Sequence, residues 1–344
     1  MLLLQTGILN YNSGGDDEFS FDITLGAGET FGLPTMDTYN YDYVVSWGDG
    51  DSSTQITTYD DSGATHTYTS GGTYTINVVG VIESFYVNNN ALINTKIVAV
   101  NSWGISGQFK QLNFWGCSNL TTLPTQTSYL SNVITFQESF YNCTSLTAIP
   151  AGLFDNNTLV STSGFRETFR NCTNLTSIPS NLFDFNTSVS TSGFYLTFYN
   201  CTNLTSIPSN LFDNNTLVST SGFRETFRNC TSLETVPELL FENNINVSTD
   251  GFQDTFNGCN KLQLNKNIFF ADGDEGTRFL DRVSDFEGCF ERASFTGTQG
   301  EAPHLWDCDY GTETPVKTDC FAGAGNSLTS ISNYADIPTE WGGA

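Results

Sequence analysis

From Gly164 onward the apolar positions follow a fixed rhythm. Phe165, Phe169, Cys172, Leu175, Ile178, Leu182 and Phe183 return as Phe194, Phe198, Cys201, Leu204, Ile207, Leu211 and Phe212, and again from Phe223. Within a unit, Phe165, Phe169 and Cys172 stand at i, i+4 and i+7, a spacing that predicts a short helix with one buried face. The L-T-S-I-P that follows predicts a brief extended piece with Leu175 and Ile178 inward, closed by Pro179, which lacks a ladder donor. One such unit cannot bury its own apolar face, but stacked units share a continuous core, so the repeat predicts a solenoid.

Cysteine spacing fixes the pitch. Cys143, Cys172, Cys201, Cys230 and Cys259 are each 29 residues apart, with Cys117 and Cys289 at similar gaps on either side. Disulfide frameworks and zinc sites use close clusters or pairs, so one Cys per long unit predicts an internal column of free thiols. Cys308 and Cys320 lie off the period and could pair with each other.

Before residue 85 the pattern changes. "FSFDITL", "YDYVVSW" and "TYTINVVG" alternate apolar and polar residues between Gly, Asp and Ser turns, which predicts a small all-β module. The expected fold is therefore mainly β with short helices. Residues 1–85 form the β module, 86–118 a transition and N-terminal cap, 119–270 the regular solenoid, and 271–344 degenerate repeats with a C-terminal cap.

Trp47-Gly48-Asp49-Gly50, followed by "THTY" and "GGTYTINV", resembles the PKD-type immunoglobulin-like domain over Tyr41 to Gly80. The repeat, F-x-x-x-F-x-x-C-x-x-L-x-x-I-P, together with the "WG" at Trp103-Gly104, resembles the BspA-like leucine-rich-repeat surface proteins. The resemblance implies a PKD-like β-sandwich followed by a right-handed leucine-rich-repeat-like solenoid of about seven coils. Similar modules also look like parts of bacteriophage tails and capsids.

Charge narrows the partners. Twelve Lys and Arg stand against 37 Asp and Glu, a net charge of −25, so the basic footprint of a nucleic-acid binder is missing. No run of about 18 apolar residues predicts membrane insertion. The opening MLLLQTGILNYNSGGDDE lacks the basic region and long apolar core of a secretory leader, which sets the expectation of synthesis in a host cytoplasm.

Catalytic constellations are sparse. His66 falls in a predicted strand and His304 in a loop beside Pro303 and Trp306, and neither completes a nucleophile–base pair with a Ser or Cys at a strained turn. The expectation is a non-enzymatic protein with no cofactor other than calcium. Asp49 and Asp51, and Asp272 and Asp274, offer oxygen ligands on Gly-containing turns suited to that cation. The Asn-x-Thr triplets such as Asn171-Cys172-Thr173 match glycosylation sequons, but their place inside each coil predicts structural turns.

The units differ most at one pair of positions. Arg166 and Arg170 become Tyr195 and Tyr199, then Arg224 and Arg228, while Glu167 becomes Leu196 and then Glu225. On an outer flank these make a column of flat rings and planar donors, suited to a sugar or a protein partner, or to bridging between coils. The leading expectation is a bacteriophage virion-surface protein (tail fibre, tail tip or head decoration). It would be present as a homo-oligomer or in many copies, docked on other virion proteins through its N-terminal domain, and adhering to a host-surface glycan or protein. The alternatives are a purely structural virion protein and a bacterial cell-surface adhesin.

Overall fold

The computed structural model describes residues 18–104, 107–125, 128–293, 300–324 and 331–343. The N-terminal stretch read for a leader lies outside them, apart from Glu18.

The alternating segments form the expected antiparallel β-sheet domain. Strands β1 (Glu18–Leu25), β3 (Tyr41–Ser46), β5 (Gly72–Ile82) and β7 (Ile97–Trp103) make a four-stranded sheet in the order β3-β5-β1-β7. Its inner face carries Phe19, Phe21 and Ile23 from β1, Tyr43 and Val45 from β3, and Ile76 and Val78 from β5, all buried. A second antiparallel pair, β2 (Thr30–Gly32) with β4 (Thr65–Thr67), packs Phe31 against Phe21. β7 lies in the segment expected to be transition, so the sheet reaches past residue 85. It does so because Val100 and Trp103 fit against Phe21 and Phe19 on β1.

A short parallel pair, β6 (Ser84–Tyr86) with β8 (Gln111–Asn113), then joins the sheet to the repeats. Phe85 touches Phe19 on one side and Phe114 on the other, and Phe114 stacks on Phe140. One apolar core therefore runs from sheet to solenoid.

The repeats are mainly non-helical. The expected helix over Phe165–Cys172 is a chain of turns, because every fourth residue has positive φ: Ser163, Glu167 and Asn171, then Ser192, Leu196 and Asn200. That interrupts any α-helix, which needs unbroken negative φ. It also sorts the backbone donors. Arg166, Thr168 and Arg170 donate within their turn, whereas the N–H groups of Ser163, Phe165, Glu167, Phe169 and Asn171 donate to carbonyls of the next coil at 2.8–3.0 Å. The periodicity of the apolar positions is right, but a repeated turn yields it as well as a helix.

Side chains repeat with the backbone. Phe140, Phe169, Phe198, Phe227 and Phe256 stack nearly parallel at 5.5–5.6 Å between centroids. A second column runs from Phe136 through Phe165, Phe194 and Phe223 to Phe252. A third, from Phe154 to Phe241, wedges at a tilt between these two.

Three polar columns satisfy the carbonyls inside this core. Asn186 Nδ2 donates to the carbonyls of Phe154 and Asn157, and Asn215 repeats the pattern on Phe183 and Asn186. Thr197 Oγ1 donates to the Phe165 carbonyl, and Cys201 Sγ to that of Phe169 at 3.2 Å. Cysteine here is a small apolar residue with one weak donor, placed where a carbonyl needs it.

All nine cysteines are free, Cys308 and Cys320 included. Burial pushes the thiols up, Cys230 to about 12, far from reactive thiolates. The last periodic cysteine, Cys289, is not where spacing put it. The Phe256 N–H donates to the Cys289 carbonyl and Phe256 stacks on Phe290, so Cys289 continues the Thr255 column. Cys320 follows it beneath Phe321. The insertion after Phe270 shifted the register, and Ala293 takes the Cys place.

At the end of the Asn column stands Arg278. Its guanidinium donates to the carbonyls of Phe269, Phe241 and Asn244, replacing the next amide. Burial pulls its pKa down to about 10.

Candidate functional site

The six residues singled out by the Arg–Tyr exchange do meet on one flank. Arg170 lies between the rings of Tyr141 and Tyr199, 5.3 and 4.8 Å from their centroids, and Arg166 and Arg224 approach the Tyr195 ring at 5.2 and 5.6 Å. Guanidinium stacked on ring is favourable, whereas ring coils or guanidinium coils stacked on their own kind would lose that attraction or repel. The alternation is a pairing rule between neighbours.

Position 167 obeys the same rule. Glu167 bridges Arg166 and Arg170 at 3.0 and 2.8 Å, and Glu225 lies between Arg224 and Arg228. In the Tyr coil, a carboxylate would have no cation of its own, and Leu196 fills the place, buried and at φ 57°. Arg224 and Arg228 also reach forward to Asp250 and Asp254. Every guanidinium of the column is thus paired with a carboxylate of its own or the next coil.

The Asn residues of the sequons are committed too. Asn171 donates to Asn142 at 2.8 Å and Asn200 to Asn171 at 3.0 Å.

The candidate calcium residues divide. Asp49, Asp51 and His66 bring ligand atoms within 4.8 Å of one another. His66 Nε2 lies 2.7 Å from Asp49 Oδ2, stacks on Trp47, and meets Tyr68 edge-on, while the Tyr68 hydroxyl donates to the Trp47 carbonyl. Asp49 Oδ1 accepts from the Asp51 N–H, so both its oxygens already lock the turn. A carboxylate–imidazole pair is not the all-oxygen shell of six to eight ligands that calcium takes. The bond from His66 holds the Asp49 carboxyl below its ordinary range. In the second place, Asp272 pairs with Lys266 at 3.1 Å, and Asp274 holds its turn through its backbone.

A fourth column escaped the sequence reading. Asp155, Asp184, Asp213 and Glu242 recur at the same place in successive coils, half-buried, and none has an ion-pair partner among the described residues. Burial, then the neighbouring carboxylates, pushes Asp155 and Asp213 up; burial alone raises Asp184. A carboxyl raised in the folded state binds its proton more tightly there, so its contribution to stability is full below about pH 4, its unfolded value, and fades as pH rises through the folded one. Asp184→Asn should therefore raise the melting temperature by roughly 1–3 °C at pH 7 and not at pH 4. Thermal melts of both proteins at the two values check it.

No family model matches the chain, and no curated protein matches it. Among the described residues, no helix is long and apolar enough to cross a membrane.

A concavity interrupts the outer surface of the later coils. Where the preceding coils present Ile178-Pro179-Ser180 and Ile207-Pro208-Ser209, later coils present Val236-Pro237-Glu238 and Leu264-Asn265-Lys266, and a groove of about 490 Å³ opens there, walled by Glu301. Its signal in the sequence was the loss of I-P-S, which reads as repeat decay unless Gly300 and Glu301, from the off-period stretch after Cys289, are known to build a wall beside it.

Proposed function

We propose that this chain is a non-enzymatic bacteriophage virion-surface protein, a tail fibre, tail tip or head decoration, whose solenoid attaches to a host-surface glycan or protein. The N-terminal domain is read as a PKD-like β-sandwich that docks on neighbouring virion proteins, and the repeats as a BspA-like leucine-rich-repeat solenoid. The observation that carries this is the stack itself: inward positions are fixed by three phenylalanine columns and three polar columns, while the outward positions are not fixed by them. Elongated repeats present broad surfaces, and many copies on one particle convert weak contacts into avidity. The Trp47 turn, held by His66 and Tyr68, supports the PKD-like reading by tying together the residues of that motif.

A purely structural virion role is favoured by one observation, the Arg–Tyr column whose charges are all satisfied internally. Immuno-electron microscopy of purified particles with an antibody to the solenoid tests the reading. Label at a tail end is expected for adhesion and label over the head for decoration; particles without label would overturn it in favour of a cell-surface protein.

A further inference from the structure

We propose that the groove between the coils of Val236 and Leu264 is a saccharide site that takes a neutral or amino-bearing oligosaccharide. This rests on the attachment reading only in taking the ligand to be carried on a cell surface.

The groove is built rather than incidental. Its floor is a parallel bridge from Thr235 to Gln263, continued by the Glu301 N–H to the Leu264 carbonyl and the Ser332 N–H to the Gly300 carbonyl. Gly300 permits the close approach, because a Cβ there would stand 2.5 Å from the Leu264 carbonyl oxygen. Its volume, about 490 Å³, falls in the range of small-ligand sites, roughly 300–1,000 Å³. A smaller recess shares Lys266, Asn267 and Glu301 with it and extends toward His304.

Its polar groups have spare capacity, whereas each guanidinium of the Arg–Tyr column is already paired with a carboxylate. The side chains of Thr235, Glu238 and Asn267 make no hydrogen bond or ion pair among the described residues, and Glu301 only a long 3.6 Å approach to His304. Carboxylates accept from hydroxyls, whereas amide and ammonium N–H groups donate to them. A sugar hydroxyl is both donor and acceptor, so a wall mixing Glu238 and Glu301 with Asn267 and Lys266 matches a polyol better than any single-function ligand.

Charge selects among sugars. Glu238 and Glu301 face the groove, Asp272 and Glu275 flank its extension, and the ammonium of Lys266 is already paired with Asp272. The net negative field disfavours sialylated, sulfated or phosphorylated chains.

The experiment probes the full chain on a printed array of neutral, amino-bearing and anionic bacterial-surface oligosaccharides. The wild type is expected to bind neutral or amino-bearing probes and no anionic ones. Glu238→Gln combined with Asn267→Ala should weaken that binding about tenfold, with the melting temperature unchanged because neither side chain has a partner to lose. Tyr195→Ala with Tyr199→Ala should bind as the wild type does. Failure of the wild type on every neutral and amino probe, or full binding by the groove variant, overturns the proposal. Labelled particles with no glycan binding would sink the groove and leave the virion reading standing; glycan binding without labelled particles would do the reverse.

Discussion

Phe198→Ala should destabilise the solenoid by about 3–5 kcal/mol. The ring is fully buried, stacks at 5.6 Å on Phe169 and on Phe227, and meets Phe183 at 6.3 Å. Its loss removes apolar burial and leaves a void bounded by backbone that cannot collapse, because the N–H groups of Phe198 and Phe169 are fixed to the adjoining coils. Phe185→Ala, one position from the buried Asn186 but 54% exposed, should cost under about 0.5 kcal/mol. Urea titration of both variants measures the contrast. Hydrogen exchange should show protection falling in the coils on either side of Phe198 while the β1–β5 pairing stays protected. Equal midpoints for the two variants would mean that the phenylalanine columns do not carry the stack.

The second large effect is expected from a change of one atom type. Asn215→Asp keeps the size and shape of the side chain but turns the Nδ2 donor, which serves the Phe183 and Asn186 carbonyls at 3.1 and 3.0 Å, into an acceptor facing two acceptors. Two buried carbonyls lose their donor and an unpaired charge enters the core, together about 3–5 kcal/mol at pH 7. Burial raises the carboxyl, so the folded state takes up a proton the unfolded chain does not hold at the same pH. The loss should shrink as pH falls toward 4, when the protonated acid can donate once. Asn215→Ala leaves the same two carbonyls unpaired but should show no such recovery. Parallel denaturation curves at pH 4 and pH 7 would decide it, and a pH-independent deficit for the Asp variant would show that the lost donor matters and the charge does not.

Much of this architecture was legible in the chain. Alternation in "FSFDITL" marked β1, and the spacing from Cys143 to Cys259 set the pitch. The turn ribbon was not legible, since Phe165, Phe169 and Cys172 share a face in a helix and in a train of turns alike. Telling them apart needs the sign of φ at Glu167 and Leu196, residues with no preference for positive φ that adopt it only under the constraint of neighbouring coils. The Asn column hid for a related reason. Asn156-Asn157 reads as a turn, and only stacking reveals that Asn157 is inside and Asn156 outside. Of the site residues, the Arg and Tyr positions were found by their variation, but their mutual pairing across coils is a three-dimensional fact. The groove needed Gly300, Glu301 and Ser332 to be placed beside the coil of Leu264.

The N–H groups that tie each coil to the next have a mechanical consequence. They run along the axis of the stack, so tension between the two ends opens them one interface at a time rather than shearing many at once. A coil adds only about 5 Å to the folded length, yet its 29 residues reach roughly 100 Å when drawn out. A particle tethered through such a chain would gain roughly 95 Å of reach for each coil peeled away, and the recoil of the stack would draw it back when the load eased.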